Sequence, residues 1–273
     1  MKIPSTRALT RDTGEFVRST RGSQSLERGL LLLRVFRDGV GVLGNAELAG
    51  RTGLPRPTVS RLMRSLVDAG FVAWDPQHKG YRLTAACLSL ALSFRHSEPL
   101  LDQALPLMRT LAQGRLVNVG LAVADQLEMV YLDSVRLSRR GIFRRIEPGS
   151  RIPVATTSLG CAYLSGLPST ARGALMERLT AAHGDAWPRL RRSIESTSRD
   201  VGRLGYCNAQ WQAGMTAVAV SVPAPNGRLY ALNVSFPSAV QDPEEAIADH
   251  GALLLGLARD IRAAWEAPEP RIR

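Results

Sequence analysis

The sequence predicts an α+β protein in two parts: a small helix-rich unit closed by a strand pair, and a larger domain with helices grouped around an antiparallel sheet. Three observations predict it. Apolar residues recur at helical spacing from Leu26 to Val67, then give way to strand–turn–strand over Phe71–Leu83. Beyond Gly114 the rhythm changes to short apolar runs bounded by turn signals. Charge is also uneven, because residues 1–83 hold 14 Lys and Arg against 7 Asp and Glu, while residues 84–273 hold 21 against 17.

With 273 residues, 45% hydrophobic and 22% charged, the chain is long enough for two ordinary domains and too apolar for wholesale disorder. Its longest apolar stretches, Leu88–Phe94 and Met215–Pro223, fall far short of the roughly 20 residues of a membrane span. Met1–Arg21 carries Lys2, Arg7, Arg11, Arg18 and Arg21 and no apolar run, so neither export nor a membrane is expected and the location expected is cytoplasmic. Cys87, Cys161 and Cys207 are odd in number and far apart, which fits a reducing compartment without structural zinc. His78, His96, His183 and His250 have no ligand spacing, so no metal and no cofactor are expected. A net charge of +11 and a pI near 10.6 point to a polyanionic partner.

Residues 1–22 read as a disordered basic arm, equally consistent with an inert leader and with DNA contact. Leu26, Leu30, Leu33 and Phe36 then mark a helix that ends at Asp38-Gly39. Gly44–Gly53 predicts a short helix capped by Gly44 or Asn45, and Gly53-Leu54-Pro55 a tight turn. Pro57 opens a second helix through Gly70, with Val59, Leu62, Met63, Leu66 and Val67 on one buried face. Its other face holds Arg56, Thr58, Ser60, Arg61, Arg64 and Ser65, hydrogen-bond donors without a carboxylate before Asp68. Taken alone, that is also the pattern of an amphipathic helix with a solvated arginine face. Phe71–Trp74 and Tyr81–Leu83 around Asp75–Gly80 add a hairpin, and the whole of 23–84 becomes a winged helix-turn-helix. Phosphates and acceptor-rich base edges line the major groove, which arginine and hydroxyl groups suit and carboxylates do not. Lys79 and Arg82 on the wing are placed to meet the backbone or minor groove.

Residues 85–97 read as a linker helix broken by His96-Ser97-Glu98-Pro99, and Leu101, Ala104, Leu105, Met108 and Leu111 as a further helix. Val117–Ala124 and Glu128–Val135 are predicted strands around Asp125-Gln126, and Gly141–Ile146 a third. Thr157–Ser165, Thr170–Ala181 and Arg199–Leu204 read as helices. Thr216–Pro223 and Arg228–Ser235 are strands around Pro225-Asn226-Gly227, and Pro243–Trp265 is a long closing helix. The larger domain spans 98–266, followed by a tail at 267–273.

Ser25-Leu26-Glu27-Arg28-Gly29-Leu30, Glu47-Leu48-Ala49, Thr52-Gly53-Leu54-Pro55, Thr58-Val59-Ser60-Arg61-Leu62, Gly70-Phe71-Val72 and Tyr81-Arg82-Leu83 resemble, in order and spacing, the DNA-binding domain of IclR-type bacterial transcriptional regulators. Gly149–Gly166 (GSRIPVATTSLGCAYLSG) and Arg203–Ser235 resemble stretches of that family's second half. The resemblance implies that 98–266 is a GAF-like effector-binding and oligomerisation domain. It further implies a pocket lined by Thr157, Ser158 and Leu159 at a helix start, by Cys207, Met215 and Ala217, and by Asn233 and Ser235 on the last hairpin. Amides at a helix N-terminus attract carboxylates, so Thr157 and Ser158 suit an acid; each lining residue also has a plain structural reading as cap, packed thiol or strand alternation. Three departures from the family pattern bear on the ligand: Cys161 stands where lysine is usual, Cys207–Gln212 lacks acidic residues and brings Trp211, and Asn233 replaces the usual first serine.

An enzyme is not expected. The chain has no Gly-x-Ser-x-Gly elbow, phosphate loop, dinucleotide glycine fingerprint or His-Glu-x-x-His, and no spacing supports Cys161 as a nucleophile paired with a histidine. The expected function is a sequence-specific transcriptional regulator gated by a small organic or aromatic acid, acting as a dimer or tetramer on a palindromic operator. The alternative is a DNA-binding regulator without a small ligand, its larger domain serving only oligomerisation.

Overall fold

The structure, a computed structural model, describes residues 22–37, 39–137, 146–212, 214–239 and 242–267. The expected arm at 1–22 and strand at 141–146, all but one residue of each, lie outside the described residues, as do the side chain of Trp211 and the tail beyond 267. The chain divides into two compact units between Glu98 and Pro99.

The first unit runs α1 (Gln24–Arg34), α2 (Asn45–Thr52), α3 (Arg56–Asp68), β1 (Val72–Asp75), β2 (Gly80–Leu83) and α4 (Ala85–His96). The Ser23 hydroxyl accepts from the Leu26 amide and so caps α1. The phase of α1 differs from the one read along Leu26, Leu30, Leu33 and Phe36. Gly29, Leu32 and Val35 are buried, whereas Leu26 and Leu30 are exposed. Four consecutive leucines, Leu30–Leu33, leave the phase open to either reading until neighbours choose it. Helix α2 starts after Gly44 and ends at Gly53 in the left-handed conformation (φ 70°), which turns the chain into α3. Leu32, Leu43, Leu48, Val59, Leu62, Met63 and Val72 join in one core that holds the three helices against the hairpin. The hairpin pairs Val72 with Leu83 and Asp75 with Gly80, and an antiparallel bridge between Leu43 and Tyr81 adds a third short segment beside it. The Thr84 hydroxyl donates to Gly70 O at 2.5 Å and caps α4.

The second unit is α+β. Strands β3 (Asn118–Asp125), β4 (Glu128–Arg136), β5 (Arg151–Pro153), β6 (Cys207–Gln212), β7 (Met215–Pro223) and β8 (Leu229–Pro237) form one antiparallel sheet in the order β5-β4-β3-β8-β7-β6. Helices α5 (Pro99–Arg115) and α9 (Pro243–Glu266) cover one face; α6 (Ser158–Gly166) and α8 (Trp187–Leu204), with α7 (Ser169–His183), cover the other. Strand alternation sorts the side chains. Val218, Val220, Val222, Tyr230, Leu232, Val234 and Phe236 meet Leu105, Met108, Leu254 and Ile261 in one core. Ala219 and Ala231 face Leu159, Ala162, Trp187 and Ile194 in the other.

Three elements differ from expectation. Helix α8 begins at Trp187, twelve residues before the short helix read at Arg199, while β5 and β6 were not anticipated. In α8 the signal existed, since Trp187, Leu190, Ile194 and Val201 follow helical spacing, but arginines at four of the intervening positions masked it. Strand β5 has three residues and β6 reads CNAQWQ, too short or too polar for a periodic signal. Trp265, near the end of α9, donates its indole N–H to Leu100 O at 2.7 Å and packs on Tyr230 with ring centroids 5.0 Å apart. Trp265→Phe keeps most of the packing but removes the donor, so urea unfolding should show a loss of about 1–2 kcal/mol. An unchanged midpoint would mean that this bond contributes nothing.

Candidate nucleic-acid interface and effector site

Helix α3 owes its orientation to its apolar side. Val59, Leu62 and Met63 are buried, and Arg61 and Arg64 therefore project outward. Arg56, Ser60, Arg61 and Arg64 are exposed and Thr58 is half-buried, so all five expected contact residues sit on or beside one open face. Ser60 is not free, however: the Asn45 side-chain amide, at the start of α2, donates to its hydroxyl. The sequence offers Asn45 only as a cap candidate; the cap falls to Gly44, and the Asn45 side chain instead ties α2 to α3. Lys79 and Arg82 are exposed on the wing. Lys79 takes φ 49° at the hairpin tip, and the Asp75 carboxylate accepts from the His78 amide at 3.0 Å, which holds that carboxyl below its usual range and orders the turn. Trp74 and Tyr81 meet edge to face across the wing with centroids 5.0 Å apart, and Trp74 is half-exposed.

The residues expected around an effector converge on the face of the large sheet that α6 covers. Register places Cys207 opposite Ala219, Ala219 opposite Asn233, and Asn233 opposite Gly120. One step along, Ala217 lies opposite Ser235, and Ser235 opposite Asn118. Directly paired residues share a face, so these form two rows of small or polar side chains across β6, β7, β8 and β3. Met215 falls on the same face at the start of β7. The Thr157 hydroxyl is committed to α6: it accepts from Gly160 N at 3.2 Å and donates to Pro153 O at 2.7 Å. Ser158 is buried and its carbonyl accepts the Cys207 thiol at 3.4 Å, which joins the helix start to β6; Leu159 is fully buried in the core beneath.

Asn233 is the distinctive group. It is buried, and its Oδ1 has no hydrogen-bond donor among the described residues. It lies over Gly120, where a Cβ would stand 2.7 Å from that oxygen and 2.5 Å from the Tyr131 ring. Glycine there is a packing requirement. Tyr131 was missed by the sequence reading, because a lone aromatic in a strand carries no signal of what it faces. Burial raises its hydroxyl pKa, and the Asn233 side chain partly opposes the shift. Burial likewise pushes the Cys161 thiol up to about 11 and the Cys207 thiol upward, the latter helped by Cys161 beside it. Both thiols are thus protonated near neutrality and neither is an activated nucleophile. No group of three or more metal-binding side chains occurs among the described residues, and no described helix is long and apolar enough to cross a membrane.

An outward arginine pair on the second of two helices, a basic wing behind it and a separate α+β unit define a winged helix-turn-helix DNA-binding protein with a second domain. Comparison with known proteins sharpens that class. The IclR helix-turn-helix domain matches residues 25–76, and the bacterial transcriptional regulator IclR C-terminal domain matches residues 93–263. The HTH-type transcriptional regulator TsaQ1/TsaQ2 of Comamonas testosteroni is 32% identical over 250 residues, covering 90% of either chain. Among solved structures, an IclR family transcriptional regulator from Brucella abortus is 32% identical with a TM-score of 0.80, covering 89% of this chain and 93% of the other. An IclR homolog from Microbacterium hydrocarbonoxydans, complexed with 4-hydroxybenzoate, shares the fold at 21% identity and TM-score 0.68, covering 90% of this chain and 100% of the other. The chain belongs to the IclR family of transcriptional regulators: it is a DNA-binding regulator and not an enzyme.

Proposed function

We propose that this regulator binds a palindromic operator as a homodimer or a pair of dimers in the cytoplasm, and that a small organic or aromatic acid bound in its GAF-like domain changes that binding. Arg56, Thr58, Ser60, Arg61 and Arg64 supply base and phosphate contacts, and Lys79 and Arg82 supply backbone contacts from the wing. Exposed leucines support self-association. Leu26 and Leu30 stand out on α1, and α4 exposes Leu88, Leu90, Leu92 and Phe94 with none of its residues buried. A helix apolar on several sides needs a cover, and two-fold pairing is what a reading helix needs to build a selective site. Coupling runs through α4 at 85–96, which ends where the two units divide, provided that the ligand binds one arrangement of the reading heads better than the other.

The observation that carries the ligand reading is the buried small-residue face with the unpaired Asn233 Oδ1 at its centre. A buried acceptor without a donor costs about 1–3 kcal/mol, so a ligand hydroxyl that donates to it gains at that point. The carboxylate of the same ligand suits the start of α6. The solved homologue's 4-hydroxybenzoate carries both groups, and we assign that chemistry, a hydroxylated carboxylic acid, to this site.

Thermal melting of the full chain with 4-hydroxybenzoate, benzoate and acetate tests the assignment. At about one hundred times the dissociation constant a bound acid adds about 2.7 kcal/mol, a rise of roughly 5–10 °C. The hydroxylated acid should give the larger rise, and Asn233→Leu should level it with benzoate. If no carboxylate raises the melting temperature while DNA is still retained, the larger domain serves only to oligomerise.

A further inference from the structure

We propose that the outer face of α8, in the second unit, is an additional contact for duplex DNA, one that grips phosphates and reads no bases. Helix α8 buries Trp187 and Ile194, with Leu190 and Val201 half-buried on the same side. Opposite them, at helical spacing, Arg189, Arg192, Arg199 and Arg203 fall within a sector of about 80° and extend about 21 Å along the axis. All four are exposed, with Ser193 and Ser196 between them. Arg189, Arg192 and Arg199 pair with no carboxylate among the described residues. Arg203 makes only a loose contact with Asp200 at 3.6 Å, and the tighter Arg191–Glu195 pair at 2.7 Å belongs to another flank of the helix.

Like charges three and four residues apart weaken a helix, as Arg189 with Arg192 and Arg199 with Arg203 must here. Beyond the loose Arg203–Asp200 contact, no ion pair among the described residues offsets the repulsion on that face; a polyanion would. The face also says which polyanion. It presents no exposed aromatic, and the one exposed large aliphatic of α8, Leu204, stands at the helix end and not among the arginines, whereas a protein partner needs such an anchor to bury. Phosphate contacts need only donors, and guanidinium and hydroxyl groups are what the stripe offers. Duplex DNA is the polyanion this protein already holds through α3, and 21 Å of helix spans several phosphates of one strand.

Salt dependence separates a real contact from general charge. Full-length protein is titrated by fluorescence anisotropy against a mixed-sequence 40-base-pair duplex over a range of salt. The comparison is with a variant carrying Arg189→Gln, Arg192→Gln, Arg199→Gln and Arg203→Gln. A control carries Arg109→Gln, Arg115→Gln, Arg259→Gln and Arg262→Gln, four exposed arginines of α5 and α9. Releasing counterions from four phosphates contributes about 3 to 4 to the slope of log K against log salt. The α8 variant should lose about that much slope and the control should keep the wild-type slope. Arg61→Ala protein should retain a salt-dependent binding that the α8 changes then remove. Equal slopes in wild type and α8 variant overturn the proposal, as does an equal loss in the control. If light scattering shows that the α8 variant has changed its oligomeric state with the slope unaltered, the stripe belongs to self-association, which also overturns it.

Discussion

Arg61→Ala should weaken operator binding and blur sequence discrimination at the base position that this side chain reads. Arg61 stands on the solvent side of α3, opposite the buried Val59, Leu62 and Met63, so its guanidinium is carried outward by a rigid, well-packed helix. Where arginine forks onto a guanine, the loss at that position is about 1–3 kcal/mol, or roughly five- to 150-fold. In the proposed two-fold pair the loss would be repeated in both half-sites. Arg82→Ala on the wing has a different signature, because a phosphate contact weakens every sequence about equally and lowers the salt slope by about one. Anisotropy titrations against a set of single-base operator variants distinguish the two. Operator affinity unchanged in the Arg61 variant would mean that α3 does not read DNA through this face.

Gly160→Ala should be among the most damaging single changes in the second unit. A Cβ on Gly160 would stand 2.0 Å from the Val154 carbonyl oxygen and 2.4 Å from its Cα, and both are backbone atoms that no rotamer change can move aside. Helix α6 would have to lift from the sheet, breaking the Thr157 hydroxyl's bond to Pro153 O and the Cys207 contact to Ser158 together. Overpacking of this kind costs about 3 kcal/mol or more. Gly173→Ala, on α7 with nothing within 4 Å of the added carbon, is the matched control and should be stabilising by up to about 1 kcal/mol. Urea unfolding followed by tryptophan fluorescence compares them. The α6 variant should also lose any ligand response, since α6 covers the small-residue face. Wild-type stability in Gly160→Ala would remove the close approach of α6 to Val154 from the account of the fold.

The two halves differ in how far their sequence can be read. Residues 45–83 form a local pattern: cap, turn, helix, hairpin, each element specified by residues within a few positions of one another. There the turn at Gly53, the buried side of α3 and the exposed arginines follow from spacing alone, while the start of α2, open between Gly44 and Asn45 in the sequence, falls to Gly44. In the larger unit the long apolar elements were also legible, β7, β8 and α9 within two residues of their observed ends. Short edge strands were not, because β5 and β6 owe their existence to partners far away in sequence. Arg151 illustrates this: it is held by Glu128 at 2.8 Å and Asp125 at 2.6 Å across the β3–β4 turn, and nothing near it in the chain announces that pairing.

The sequence by itself determined the class of element at most positions, the arginine face of α3 and the order helix, helix, wing, because hydrophobic period and turn chemistry act locally. Only the tertiary structure decided that Leu32 and not Leu30 faces the core of the first unit, that Asn45 holds Ser60, and that Cys207, Ala219, Asn233 and Gly120 stand in one row under α6. Phase and register are choices between nearly equal local alternatives. Burial against a distant neighbour breaks the tie, and in this protein it places one unpaired amide oxygen over the glycine that makes room for it.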